Sequence, residues 1–107
     1  MLQTKGTHNY YVYIITNIAK TVLYIGFTND LKERLHYHQN PEAHSKAFTA
    51  RYNCEFLVYW EHYTDVEIAI NREMQLKKWN RNKKEALITE FNPEWRFLND
   101  EVRRLYL

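Results

Sequence analysis

Cysteine is nearly absent: Cys54 stands alone in 107 residues. That excludes a disulfide framework and a CxxC metal pair, and it favours a reducing compartment. No apolar run approaches the ~20 residues that span a bilayer. The N-terminus lacks the basic-then-apolar order of a signal peptide, so the chain is read as cytoplasmic, with no membrane partner. Charge of either sign is close to balanced, 15 Lys and Arg against 13 Asp and Glu for a net of +2. The total therefore says little about partners, and only the distribution can. His8, His36, His44 and His62 show no metal-ligand spacing and are read as surface or loop residues. Internal repeats, low-complexity tracts and linkers are missing too. What is present is a length suited to one domain, expected as a monomer and able to bury a core unaided. Aromatic content is high at 16%, carried mostly by tyrosine.

The chain is organised around Tyr10 to His38. Met1 to Asn9 is polar and expected to fray. Tyr10 to Thr16 is a run of Tyr, Val and Ile, good strand formers. Asn17 to Thr21 is a polar break, and Val22 to Thr28 is a second β-rich run. Two such runs joined by a short polar segment predict an antiparallel hairpin, with Tyr13 and Tyr24 at matching points on its strands. Thr28, Asn29 and Asp30 offer cap oxygens to a helix over Leu31 to Gln39, whose Leu31, Arg34, Leu35 and His38 fall on one side. Asn40 and Pro41 end it, and His44 to Tyr52 reads as a polar connection. Glu55 to Tyr63 predicts a third strand. Thr64-x-x-Glu67 reads as a capping box that starts a helix near Asp65. That helix carries Val66, Ala69, Ile70, Met74, Leu76 and Trp79. Arg81 to Glu90 is a further short helix, broken at Asn92-Pro93, and Phe97 to Leu107 is a last, loosely held one. The order β-β-α-β-α-α predicts an α+β domain: a three-stranded antiparallel sheet flanked by helices. Its core is placed at about 9–95 and a helical tail at 96–107.

Several side chains could carry chemistry. Glu73 lies seven residues after Val66 and three after Ile70, so it points toward the apolar stripe. A carboxylate there is costly unless it is paired or binds a cation. The plainer alternative is a boundary residue paired with Arg34 or a lysine. Strand tyrosines usually pack the ring and hydrogen-bond the hydroxyl. If Tyr13 and Tyr24 share a face, which depends on the hairpin register, their hydroxyls could converge on one pocket as general base or proton relay. Arg34 and His38, four apart, share a helix face. Arg34 suits an anion such as phosphate, and His38 could move a proton or bind phosphate. The alternative is a solvated face beside Lys32 and Glu33. Arg72, Lys77, Lys78, Arg81, Lys83 and Lys84 cluster around Trp79 with little acidic balance nearby, which suits a nucleic-acid backbone. Lys46 in the polar connection is added to that set. The alternative is a solvated charged face. Gly26 ends a strand where a ligand or partner backbone could approach.

Tyr11-Val12-Tyr13, then Tyr24-Ile25-Gly26 eleven residues on from Tyr13, Arg34 on the next helix and Glu73 on a later one, resemble the GIY-YIG nuclease domain. The chain is most similar to small standalone bacterial members of the excinuclease C-like kind. The likeness covers nearly its whole length and includes the Phe-Thr-Ala-Arg-Tyr run at 48–52, Arg-Glu-x-Gln-Leu-Lys-Lys-Trp at 72–79 and Asn-Pro-Glu-Trp at 92–95. The resemblance implies the same β-β-α-β-α-α fold and metal-dependent phosphodiester cleavage. It implies Tyr24 or Tyr13 as general base, Arg34 on the scissile phosphate and His38 near the nucleophile. Glu73 would bind one divalent cation, Mg²⁺ or Mn²⁺, acting as a Lewis acid. Asn92 matches a C-terminal polar residue of the family. Two departures stand out: Tyr11 replaces the first glycine, and Phe97 stands where close relatives carry Asp.

The resulting expectation is a DNA endonuclease acting in repair or recombination, with a protein partner able to supply targeting. A second reading is a nucleic-acid-binding module of the same fold with little or no turnover. A third is a protein-interaction domain, which would require Phe56, Tyr59 and Trp60 to form an exposed apolar patch.

Overall fold

The computed structural model describes residues 8–40, 42 and 47–105. Strands β1 (Tyr10–Thr16), β2 (Leu23–Thr28) and β3 (Phe56–Tyr63) form one antiparallel sheet in the order β2-β1-β3. The central position of β1 explains its composition. Every residue from Tyr11 to Thr16 is buried, because both faces are covered, so the run carries no polar alternation. Tyr11, Tyr13 and Ile15 pack into one core with Leu31, Leu35 and Val102. Val12 and Ile14 pack into the other with Ala69, Leu76 and Ile88. Helices α1 (Leu31–His38) and α5 (Asn99–Leu105) thus cover one face. Helices α3 (Val66–Lys78) and α4 (Arg81–Phe91) cover the other. The expected α+β class and the β-β-α-β-α-α order are both present. Among the described residues, no helix is long and apolar enough to cross a membrane.

Some local expectations are corrected. The stretch read as a polar connection contains a short helix, α2 (Phe48–Arg51), whose one buried residue is Thr49. The cap of α3 is Asp65, not Thr64: its carboxylate accepts from the Glu67 and Ile68 amides, and a side chain one residue nearer the helix reaches those donors better. The buried face of α3 is also turned. Ala69 and Leu76 are buried, whereas Val66, Ile70 and Met74 are exposed. Arg72 is drawn inward by Glu61 on β3 at 3.0 Å, and the small Ala69 lets the helix sit close to the sheet.

The C-terminal helix is not loosely held. The Leu98 amide donates to the Leu57 carbonyl at 2.8 Å. The Asn99 side chain accepts from the Leu57 amide and donates to the Glu55 carbonyl, at 2.8 and 2.9 Å. These bonds cover the outer edge of β3, which would otherwise present unpaired backbone groups. Nor is β3 an exposed aromatic patch. Tyr59 is buried, Phe56 stacks on Phe97 at 4.3 Å, and Trp60 meets Phe91 edge-on. Phe97 therefore has a packing role in place of a charge. Cys54 is buried and free, and burial pushes its thiol up to about 11, so it stays protonated and inert.

Candidate active site

The hairpin register decides which side chains meet. Tyr13 pairs with Gly26 and Tyr24 with Ile15. The two tyrosines therefore share a face but stand diagonally, two residues out of step, not at opposite points. The ring of Tyr13 lies across Gly26: a Cβ at that position would sit 2.3 Å from both Cζ and the hydroxyl oxygen of Tyr13. Gly26 thus makes room for Tyr13, and not for a ligand or partner.

Asp30 starts α1 by accepting from the Glu33 amide at 3.0 Å. The helix then presents Arg34 and His38 toward the tyrosines. Tyr13 and His38 are buried, and the Tyr13 hydroxyl is 3.0 Å from His38 Nε2. The other ring nitrogen, Nδ1, is 3.2 Å from Thr49 Oγ1. Burial raises the Tyr13 hydroxyl pKa well above the usual tyrosine value. The Arg34 guanidinium nearby pulls it down, while Tyr24 and Glu73 push it further up. Tyr13 therefore holds its proton at neutral pH. The His38 ring stands edge-on to Tyr24 at 6.1 Å between centroids, and Phe48 stacks on Tyr24 from α2 at 6.0 Å.

These groups border an open cavity of about 700 Å³, whose wall includes Tyr24, Asp30, Arg34, His38 and Thr49. The structure brings Tyr24, Arg34 and His38 to one wall, with Tyr13 directly behind His38. Thr49 belongs to the same group, and sequence reasoning did not single it out. Its only signal was membership of the Phe48–Tyr52 run.

Glu73 sits on the flank of α3 between Ala69 and Leu76, with a side chain 18% exposed and 3.1 Å from Lys77 Nζ. It belongs to the helical layer across the hairpin, and its charge reaches the Tyr13 hydroxyl. Among the described residues, no three His, Cys, Asp or Glu gather as a metal cage. A lone carboxylate is nevertheless what Mg²⁺ commonly uses, since it keeps several waters and completes its shell with substrate phosphate oxygens.

The basic cluster is not free of acidic partners. Arg72 is bound by Glu61 through Nε and NH2, donates to Gln75 at 2.7 Å and lies over Trp79. Arg81 pairs with Glu85 at 2.7 Å and donates to the Thr21 carbonyl at 2.9 Å. Both guanidiniums hold the fold together. Lys83 lies over the same Trp79 ring at 4.4 Å, and Lys77 faces Glu73. Lys78 is exposed and Lys84 half-buried. Lys46 lies outside the described residues. Asn92 is structural: buried, it donates to the Val58 and Arg96 carbonyls and accepts from the Arg96 amide, closing the turn after α4.

Comparison with known proteins finds a family and several relatives for this chain. The GIY-YIG catalytic domain family matches residues 9–86. A UPF0213 protein of Bacillus pumilus is 34% identical over 92% of this chain and 97% of its own length. One from Lacticaseibacillus paracasei is 30% identical over 85% of this chain and 99% of its own. A solution NMR structure of a UPF0213 protein from Bacillus halodurans, 28% identical, superposes with a TM-score of 0.48 over 76% of this chain and 83% of that one. The match spans both strands of the hairpin and the helices that carry Arg34, His38 and Glu73, so the chain belongs to the GIY-YIG catalytic domain family.

Proposed function

We propose that this chain is a metal-dependent endonuclease that hydrolyses DNA phosphodiester bonds, in repair or recombination. One observation carries the reading: Arg34, Tyr24 and His38 share the wall of one open cavity, and His38 is hydrogen-bonded to a second, buried tyrosine. A guanidinium at the wall suits a phosphodiester, and its donors remain to stabilise charge that develops in the transition state. Of the two tyrosines, Tyr24 borders the cavity and is assigned to the attacking water as general base. Tyr13, buried and protonated, holds His38 in register. Glu73 would hold one divalent cation, Mg²⁺ or Mn²⁺, which supplies Lewis-acid polarisation of the phosphate and leaving oxygen.

The test is cleavage of a panel of labelled DNA substrates with Mg²⁺ or Mn²⁺, wild type beside Glu73→Gln. Metal-dependent cleavage is expected. Several kcal/mol of charge stabilisation rest on the cation, so the variant should lose at least about 100-fold in rate. Its melting temperature and DNA affinity should stay close to wild type, because glutamine keeps the shape of the side chain and gives up only the pair with Lys77. Undiminished cleavage by Glu73→Gln would sink the mechanism. Binding without cleavage on every substrate and metal would make the chain a nucleic-acid-binding module instead.

A further inference from the structure

We propose that a pocket beside the outer edge of β3 docks a basic segment of a partner protein and takes one arginine side chain against its aromatic wall. The proposal does not rest on the nuclease reading. It gives a place to the Asn-Pro-Glu-Trp run at 92–95, which takes no part in the Arg34 cavity.

The pocket encloses about 310 Å³. Trp60 of β3, Phe91 and Leu98 form its apolar wall, and Glu94, Arg96 and Glu101 its charged one. The Trp60 and Phe91 rings stand nearly perpendicular, at 76° and 6.4 Å between centroids. Phe91 is 47% exposed, so much of its ring is open to an incoming group. A hydrogen-bonded turn holds these walls in place. Asn92 closes it with bonds to Val58 and Arg96. The Trp95 amide donates to the Asn92 carbonyl, and its indole donates to Thr89, both at 2.9 Å. Trp95 takes a φ of 52°, a left-handed conformation that a bulky residue keeps only where its surroundings over-determine it. On the other side, Leu98 is fixed by its amide bond to the Leu57 carbonyl. Walls already ordered in this way lose little freedom on binding.

The charge of the pocket selects its occupant. Two carboxylates and one guanidinium leave the wall one negative charge in excess. Arg96 already pairs with Glu101 at 2.9 Å, whereas Glu94 is exposed and pairs with no described residue. Glu90, exposed on the last turn of α4, adds charge of the same sign. A phosphate backbone is repelled by such a surface. An arginine suits it, because a guanidinium stacks on aromatic rings and forks onto a carboxylate. Tryptophan and arginine are also the side chains that dominate the centres of protein interfaces. The position is equally apt. The Tyr24 wall of the cavity lies on β2 and the Trp60 wall of this pocket on β3, at opposite edges of the sheet. A protein held here leaves the Arg34 cavity open.

The experiment selects random short peptides displayed on phage against the full chain, then titrates a synthetic copy of the recovered peptide into ¹⁵N-labelled protein. The peptide should carry an arginine and shift the Trp60 indole N–H and the Phe91, Glu94 and Leu98 amides. Replacing that arginine with citrulline keeps the shape and removes the charge. It should weaken binding by at least about tenfold, the scale of a cation–π contact shielded from water. Glu94→Lys and Phe91→Ala should each weaken it similarly. The first changes an exposed side chain and should leave the rest of the spectrum as in wild type, so it keeps the test sound if Phe91→Ala perturbs the packing on Tyr59. A recovered peptide without a cation overturns the proposal, as does undiminished binding of the citrulline peptide or by Glu94→Lys. So do shifts gathered at the Arg34 cavity, or a selection that yields no peptide binding at this pocket. A chain that dimerises by light scattering, and that Glu94→Lys returns to monomer, would assign the face to a second copy and overturn it too.

Discussion

An alanine at position 26 would place its methyl 2.3 Å from Cζ and the hydroxyl oxygen of Tyr13. The far end of a side chain can often move aside, but this ring is fully buried and its hydroxyl is held by His38. Gly26→Ala should therefore cost about 1–3 kcal/mol, the range for overpacking a core, and pull the Tyr13 hydroxyl off His38. The measurement is a urea midpoint together with the His38 ring spectrum. A stable variant with an unaltered ring would show that Tyr13 has more room than its packing implies. At this scale the motif residues were legible and their reasons were not. Tyr13, Tyr24, Arg34 and His38 could be picked out because tyrosine, arginine and histidine carry recognisable chemistry. The need for glycine at 26 depends on cross-strand register, and register is a property of pairing. Thr49 gave no signal of its own, since a threonine in a polar stretch looks like any other.

The link between β3 and α3 runs through one carboxylate. Glu61 accepts from Arg72 and from the hydroxyls of Tyr59 and Tyr63. Burial works against its charge, but Arg72 and the two tyrosines outweigh it and hold the carboxyl below its usual value. The same contact, after burial, pushes Tyr63 up to about 12. A carboxyl with a lowered folded pKa adds stability above the unfolded value near 4.3, and that stability is lost as pH falls through the folded value. Glu61→Gln should thus be less stable than wild type at pH 7, and the gap should close as pH drops from about 5 toward 3. Urea midpoints along that range check it, and a gap that stays constant would mean that the carboxylate is not what holds α3. This pair also explains why the inward face of α3 was misread. Hydrophobic spacing put Val66 and Ile70 inside, whereas an ion pair from another strand turned Arg72 inward. Elements formed by local signals were legible: the hairpin, α1 and α4 lie within a residue of their expected bounds at most ends. Elements fixed by distant partners were not, as with α2 and the anchoring of α5 by Asn99.

At the scale of the molecule, the sheet separates two helical layers, with the Arg34–His38 helix on one face and the Glu73 helix on the other. The lysines follow Glu73 onto α3 and α4. Six basic residues in one stretch looked like a uniform patch, but the structure divides them. Arg72 and Arg81 commit their guanidiniums to Glu61, Glu85 and backbone carbonyls, whereas Lys77 makes one pair within its own helix, with Glu73, and Lys83 rests over the Trp79 ring. If this face tracks a DNA backbone, Lys77, Lys78, Lys83 and Lys84 supply the contacts and the two arginines supply the scaffold. Replacing the four lysines by glutamine should weaken DNA binding across sequences. It should also flatten the dependence of log affinity on log salt by roughly 0.7–0.9 for each phosphate no longer neutralised. Arg72→Gln should lower the melting temperature and leave that slope alone, because it breaks an internal ion pair and touches no phosphate. Binding measured at several salt concentrations separates the two variants. A slope changed by Arg72→Gln but not by the lysine replacements would invert the assignment and put the arginine on the nucleic acid.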